Sequence, residues 1–298
     1  MSRFTLPQLF RACVQRFFTL LRKVATHTSL HSLRYYAGCF TVFVALVALL
    51  SPSAYVVEQP GPTQDVLTSV SKIPVIDMSG SRVKEHHDTG KLLMLTVTTL
   101  GVSCEIPTFY ALLSWFNPQW KVVPREAVVP VGQSADDYEQ ASVREMNDSQ
   151  NVAQRVALQY AAKKLGIHTD GVKVRLHIED IGGPSAGMMY ALGILDKLTP
   201  ENETGGKVVA GTGTIEKSQK IGAIGGIRLK MIAAQRDGAT WFLAPQDNCD
   251  EVVGHVPQGL RVVRVSTLDE AYTALRTIGS GHNVRSLPTC SAKNANAK

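Results

Sequence analysis

The sequence predicts an α+β protein carried behind one apolar N-terminal helix. Three observations lead there: a charge-free stretch from Tyr35 to Val57, β-rich runs such as Leu92 to Leu100, and helical spacing of apolar residues after Asp148 and Ser185. With 298 residues, 44% of them apolar, the chain has ample material for a buried core and is not a disordered protein.

The N-terminal segment is defined by charge. Residues 1–57 hold Arg3, Arg11, Arg16, Arg22, Lys23 and Arg34 and no acid, so they account for the whole formal charge of +6. From Glu58 onward 25 basic and 25 acidic residues cancel, which leaves no basic patch for nucleic acid. The excess therefore reads as membrane topology: residues 1–34 as a cytoplasmic basic segment, 35–57 as a transmembrane anchor, and the rest extracytoplasmic. A cleaved signal peptide is the rival reading, since Ser51-Pro52-Ser53-Ala54 supplies small residues after the apolar run. Thirty-four residues is long for a signal n-region, which favours an uncleaved anchor. Phe4 to Val24 reads either as an amphipathic helix on the anionic inner leaflet or as a mobile basic tail.

Cys13 and Cys39 fall in the cytoplasmic or membrane part, leaving Cys104, Cys249 and Cys290. An odd number argues against a disulfide framework but leaves room for one bridge. No Cys-x-x-Cys pair is present, and His86-His87 and the other histidines lack ligand spacing, so no metal or cofactor is expected.

Along the chain, Glu58 to Pro62 reads as a turn-rich exit, Pro74 to Met78 as a strand, and Leu92 to Leu100 as a central strand. Trp115, Phe116 and Trp120 are expected in the core or at a membrane interface, with substrate contact as the alternative. Gln133 to Asp137 reads as a loop. Asn147-Asp148-Ser149 precedes a helix through Lys164, closed by Gly166. Val172 to Ile178 alternates as a half-buried strand with an exposed His177. After Pro184 a helix runs to Leu198. Strands at Val208 to Ala210 and Thr212 to Ile215 follow, then a turn over 221–226 and a helix from Ile227 to Asp237 closed by Gly238. The remainder reads as a strand at Thr240 to Leu243, a segment from Gln246 to Val253, a strand at Leu260 to Val265 and a helix from Thr267 to Ile278. Beyond it lies a polar tail.

Two segments carry chemistry. Ser185, in Gly182-Gly183-Pro184-Ser185-Ala186-Gly187, would stand at a helix N-terminus, where free N–H groups and the helix dipole favour an oxyanion. A plain N-cap serine is the alternative. Lys230 decides between them. Arg228, Gln235 and Arg236 mark the solvated side of its helix, and Lys230 falls on the opposite side with Ile227, Ala233 and Ala234. Desolvation there would lower its pKa and supply a neutral amine able to take a serine proton. Lys217 and Lys220 lie in a polar stretch and read as surface charges.

Asp180 to Gly187, Gly211-Thr212-Gly213-Thr214-Ile215 and Ile224-Gly225-Gly226-Ile227-Arg228-Leu229-Lys230 resemble, in that order, the motifs of Lon-type Ser-Lys peptidases. With the apolar anchor and Glu58 to Pro62, the chain is similar to the membrane-anchored, PDZ-containing Lon-like proteases of Gram-positive bacteria. The resemblance implies Ser185 as nucleophile, Lys230 as general base, Thr212 orienting the lysine amine, and oxyanion or turn backbone at Gly183, Pro184 and Ala186. It implies an N-terminal protease part over 58–171, a Lon-type core over 172–280 and a mobile tail over 281–298. It further implies peptide or unfolded-protein substrates, and self-association.

Two departures follow. Gly182 stands where many Lon proteases carry an acid, and Asp180 does not inherit that role. Only residues 165–171 separate the early helix from the strand before the serine, so no PDZ domain of roughly 80–100 residues fits between them. A partner that delivers substrate is one way to replace it. No Gly-x-x-x-x-Gly-Lys-[Ser/Thr] loop is present, so ATP-driven unfolding is not expected within the chain.

Two other classes fit parts of the sequence. Gly183-Pro184-Ser185-Ala186-Gly187 satisfies the nucleophile-elbow pattern of α/β-hydrolases, with Asp247 or Asp250 and His255 as the remaining triad members. A membrane-anchored scaffold without activity would keep the fold alone.

Overall fold

A computed structural model describes residues 32–70, 73–80, 86, 88–177 and 182–291. The basic segment 1–31 with Cys13, His87, Asp180, the end of the strand at Ile178 and the last seven residues lie outside the described residues. The described chain falls into two units, residues 32–52 with 107–109, and the remainder.

In the first unit, helix α1 (Leu33–Leu50) has 18 residues and buries none of them. It is long and apolar enough to cross a membrane, and its position also suits a signal sequence. Pro52 lies just past its end, a residue that cannot continue a helix. The charge-free stretch is therefore shared by two elements: Tyr55 to Val57 begin a strand, with Val56 and Val57 fully buried. Apolarity alone does not distinguish a membrane span from a sheet interior.

The second unit is built on a six-stranded sheet in the order β12-β11-β8-β5-β1-β6. In chain order its strands are β1 (Tyr55–Asp65), β5 (Lys91–Leu100), β6 (Lys121–Pro124), β8 (Val208–Gly211), β11 (Trp241–Pro245) and β12 (Arg261–Val265). Short pairs form the rest: β2 (Ser69–Val70) with β3 (Ile73–Pro74), β4 (Ile76–Ser79) with β7 (Lys173–Leu176), and β9 (Thr214–Ile215) with β10 (Ile221–Gly222). From β5 to β12 the sheet is parallel, and from β5 to β6 antiparallel.

The expected turn-rich exit at Glu58 to Pro62 is instead the middle of β1. Pro60-Gly61-Pro62 sits at a register shift, beyond Glu58 where pairing with β6 stops, so the missing proline N–H groups disrupt no ladder on that side. A side chain on Gly61 would collide with the Thr96 backbone at 2.8 Å, which is why the strand can pass there.

Helices cover both faces of the parallel part. Leu92, Met94, Val209, Leu243 and Val263 join one cluster with α3 (Ala135–Lys164), α4 (Gly187–Leu198) and α7 (Leu268–Ser280). The alternate residues Leu93, Leu95, Ala210, Phe242 and Val262 join a second cluster with α5 (Ile227–Arg236) and α6 (Cys249–Val252). This period-two division is what strands buried on both faces require.

Three expectations change. α3 begins at Ala135, because Ser134 and Asp137 form a reciprocal capping box ahead of the polar first turns, so Ala135 to Asp137 of the stretch read as a loop are helix. Of the two places expected for the aromatic run, the core is excluded for Trp115 and Phe116, which follow α2 (Thr108–Ser114) at 62% and 85% exposure. The segment after α7 is held as far as Cys290, which is disulfide-bonded to Cys249, while Arg264 donates its N–H to the Pro288 carbonyl at 2.9 Å. That settles the open cysteine pairing, with Cys39 and Cys104 free.

Candidate active site

The last β5–β8 pair is Met94 with Gly211, after which β8 ends and β5 continues to Leu100. Helices from opposite faces of the sheet meet in the gap so opened. Gly183, with φ of 86°, turns the chain into a single 3-10 turn, Pro184–Ala186, that leads into the wholly buried α4 and carries Ser185. From the other face, Gly226 in the left-handed region starts α5, which carries Lys230. A Cβ at Gly226 would also meet Val97 Cγ2 at 2.8 Å, so glycine is needed there twice over.

Lys230 Nζ donates to Ser185 Oγ at 2.7 Å and to Thr212 Oγ1 at 3.2 Å, and the Thr212 hydroxyl donates to the Ser185 carbonyl at 3.1 Å. Lys230 is 3% exposed. Burial strips water from its ammonium and lowers the pKa to about 7. A half-neutral amine in contact with a hydroxyl can accept its proton at neutral pH.

The backbone around Ser185 is held from several directions. Gly213 N–H donates to the Ser185 carbonyl at 2.9 Å, and Ser149 Oγ donates to the Pro184 carbonyl at 2.9 Å. Gly183 N–H donates to the Ser142 carbonyl at 2.9 Å, so it is not a free oxyanion donor, and Pro184 has no N–H. Of the expected oxyanion residues only Ala186 remains a candidate, beside Ser185 itself. At Gly182 a Cβ would strike the Ser142 hydroxyl, so a larger side chain there would need Ser142 to move.

A cleft of about 890 Å³ opens onto the pair. One wall is Leu95 to Thr99 of β5, the other is Tyr138, Ser142 and Glu145 of α3, and its floor holds residues 182–186, Gly225, Gly226 and Lys230.

The structure does not bring the alternative triad together. His255 is exposed with its Nδ1 3.1 Å from the Val253 carbonyl and is not part of the cleft, while Asp247 faces Lys220 at 3.9 Å. Sequence reading missed Ser142, Ser149 and Asn248. The Asn248 side chain clamps both the N–H and the carbonyl of Ile224 at 2.9 Å, fixing the turn that leads into α5. Ser149 falls in register with Val152, Val156 and Tyr160, the apolar spacing of α3, and that was the one available signal.

Residues 142–276 match the sequence profile of the Lon protease (S16) C-terminal proteolytic domain. Over those residues the chain is similar to a Lon-type (S16) proteolytic domain, an α+β domain of Ser-Lys serine endopeptidases. Among curated relatives, Lon protease 2 of Herpetosiphon aurantiacus is 31% identical over 139 residues, covering 42% of this chain and 17% of that protein. The Lon protease of Clostridioides difficile is 35% identical over 91 residues, covering 30% of this chain and 11% of that protein. That of Haemophilus influenzae is 29% identical over 168 residues, covering 53% and 20%. The chain thus spans about a fifth or less of the length of these relatives. The match begins within α3 and leaves out β1, β5 and β6, half of the central sheet.

Proposed function

We propose that the chain is a membrane-tethered serine endopeptidase that works without ATP and cleaves extracytoplasmic peptides or unfolded segments. The observation that carries this reading is the 2.7 Å contact between Ser185 Oγ and a buried lysine amine whose pKa is lowered to about 7. Neutral Lys230 takes the hydroxyl proton as Ser185 Oγ attacks the peptide carbonyl. The amides of Ser185 and Ala186 receive the oxyanion, and Lys230 returns its proton to the leaving amine as the carbon–nitrogen bond breaks. Water, deprotonated by the same amine, then attacks the ester; the carbon–oxygen bond to Ser185 breaks and the serine recovers a proton. Thr212 supports the reaction by holding the amine toward Ser185.

An extended substrate suits the cleft. β5 pairs with β8 only as far as Met94, so among the described residues no strand covers its far side from Leu95 to Thr99, and a peptide can add there as a strand. The apolar α1 and the acid-free basic residues ahead of it support a tether with the protease region outside.

The test is proteolysis of an unfolded model protein by the full-length chain in detergent, with and without ATP, beside folded Ser185→Ala and Lys230→Ala proteins. Cleavage by the parent alone, unchanged by ATP, is expected. Cleavage by Lys230→Ala at the parent rate would overturn the dyad.

A further inference from the structure

Away from the cleft, three carboxyl groups from three separate segments converge in the interior. Asp88 lies just before β5, Asp196 in the last turn of α4, and Glu203 in the loop leading to β8. One oxygen from each lies within 4.8 Å of the others. Asp196 is 1% exposed and Glu203 2%.

Their existing bonds define what is left over. Asp88 Oδ1 accepts from Gly90 N–H at 2.8 Å and Thr204 Oγ1 at 2.6 Å, and its Oδ2 accepts from Thr204 N–H at 2.7 Å. Glu203 Oε1 accepts from the Tyr272 hydroxyl at 2.9 Å and from the Thr199 hydroxyl. After these bonds, Asp196 Oδ2 and Glu203 Oε2 remain buried with no hydrogen-bond partner. A buried oxygen of this kind is rare and calls for a donor or an ion.

A proton held between two of the carboxyl groups would match a pair of oxygens but leave most of the cluster's negative charge in place, whereas a divalent cation offsets both. The donor set is all carboxylate oxygen, which selects a hard divalent ion over copper or a thiolate-bound zinc. Magnesium keeps several of its waters and is seldom held by protein oxygens alone, whereas calcium accepts them in number, so a site with two buried carboxylates suits calcium.

We propose that Asp88, Asp196 and Glu203 bind a divalent cation, calcium in preference to magnesium. The ion ties the loop before β5, the end of α4 and the loop before β8. It thereby braces the two strands that carry the cleft wall and lead to Thr212. The inference stands apart from the proteolytic reading and would survive its failure.

The test is thermal unfolding of the chelator-treated full-length protein in detergent, titrated with calcium or magnesium chloride. A rise in Tm of about 5 °C or more at millimolar calcium, smaller with magnesium, is expected for the parent. Glu203→Gln should lose much of that rise and Asp196→Asn all of it. Terbium luminescence sensitised by Tyr272, displaced by calcium, checks binding without reference to folding. No Tm shift and no terbium signal in the parent would overturn the site, as would an equal shift in Asp196→Asn. A magnesium effect equal to that of calcium would overturn the stated preference.

Discussion

The two halves of the central sheet differ in what they do and in how readable they are. The parallel half, β8-β11-β12 with α4 and α5, carries every group of the Ser-Lys site. The antiparallel half, β1-β5-β6, carries none and instead supplies a wall of the cleft. Chemistry constrains residue types at fixed positions, whereas a wall that binds extended backbone asks mainly for a strand. The profile match follows that division: it covers the first half and omits the second.

The strongest break of the comparison is loss of the chemical half. Ser185→Ala or Lys230→Ala should lower kcat by roughly three orders of magnitude or more with little change in substrate binding, read by steady-state cleavage and by affinity for an uncleaved peptide. Lys230→Met should at the same time stabilise the protein. The folded lysine titrates near 7 against an ordinary 10.5, so between those values the unfolded chain binds more protons and stability rises with pH. At pH 7 the buried amine costs on the order of 2–4 kcal/mol, which the methionine should recover as a higher denaturation midpoint.

Gly226→Ala tests the seam between the halves. The left-handed φ and the collision with Val97 predict a loss of about 1–3 kcal/mol in stability together with reduced activity, and adding Val97→Ala should recover part of both. Next comes Thr212→Val, which removes one partner of Lys230 Nζ; about a tenfold fall in kcat with KM unchanged is expected. The smallest effect belongs to the wall. Lys121→Ala breaks an exposed contact with Glu58 at 3.8 Å, and should leave kcat and stability within experimental scatter while shifting KM a few-fold for charged peptides.

The sequence made the chemical half legible because its signals are local. The glycine turn before Ser185 and the apolar face around Lys230 each fit within one short segment. The wall was harder to read for physical reasons. β1 contains two prolines that its bulge and one-sided pairing accommodate, and nothing in Glu58 to Pro62 announces those partners. The first turns of α3 are polar because they lie on the surface, so their hydrophobic period is absent and only the Ser134–Asp137 cap marks the start. Trp115 and Phe116 are exposed, which removes the core and leaves the membrane interface of the two places expected for them, since apolarity alone does not distinguish the two. The three converging carboxylates, two of them buried, come from distant parts of the chain and have no sequence signature at all.

The most direct measurement of the central claim is the pH dependence of Ser185 acylation by an active-site-directed phosphonate, followed as a second-order rate constant in the full-length protein. If Lys230 is the base, the rate rises tenfold per pH unit below 7 and levels off above it, and Lys230→Ala removes the dependence. A rate that climbs steadily past pH 9, or one that Lys230→Ala leaves intact, would contradict the account.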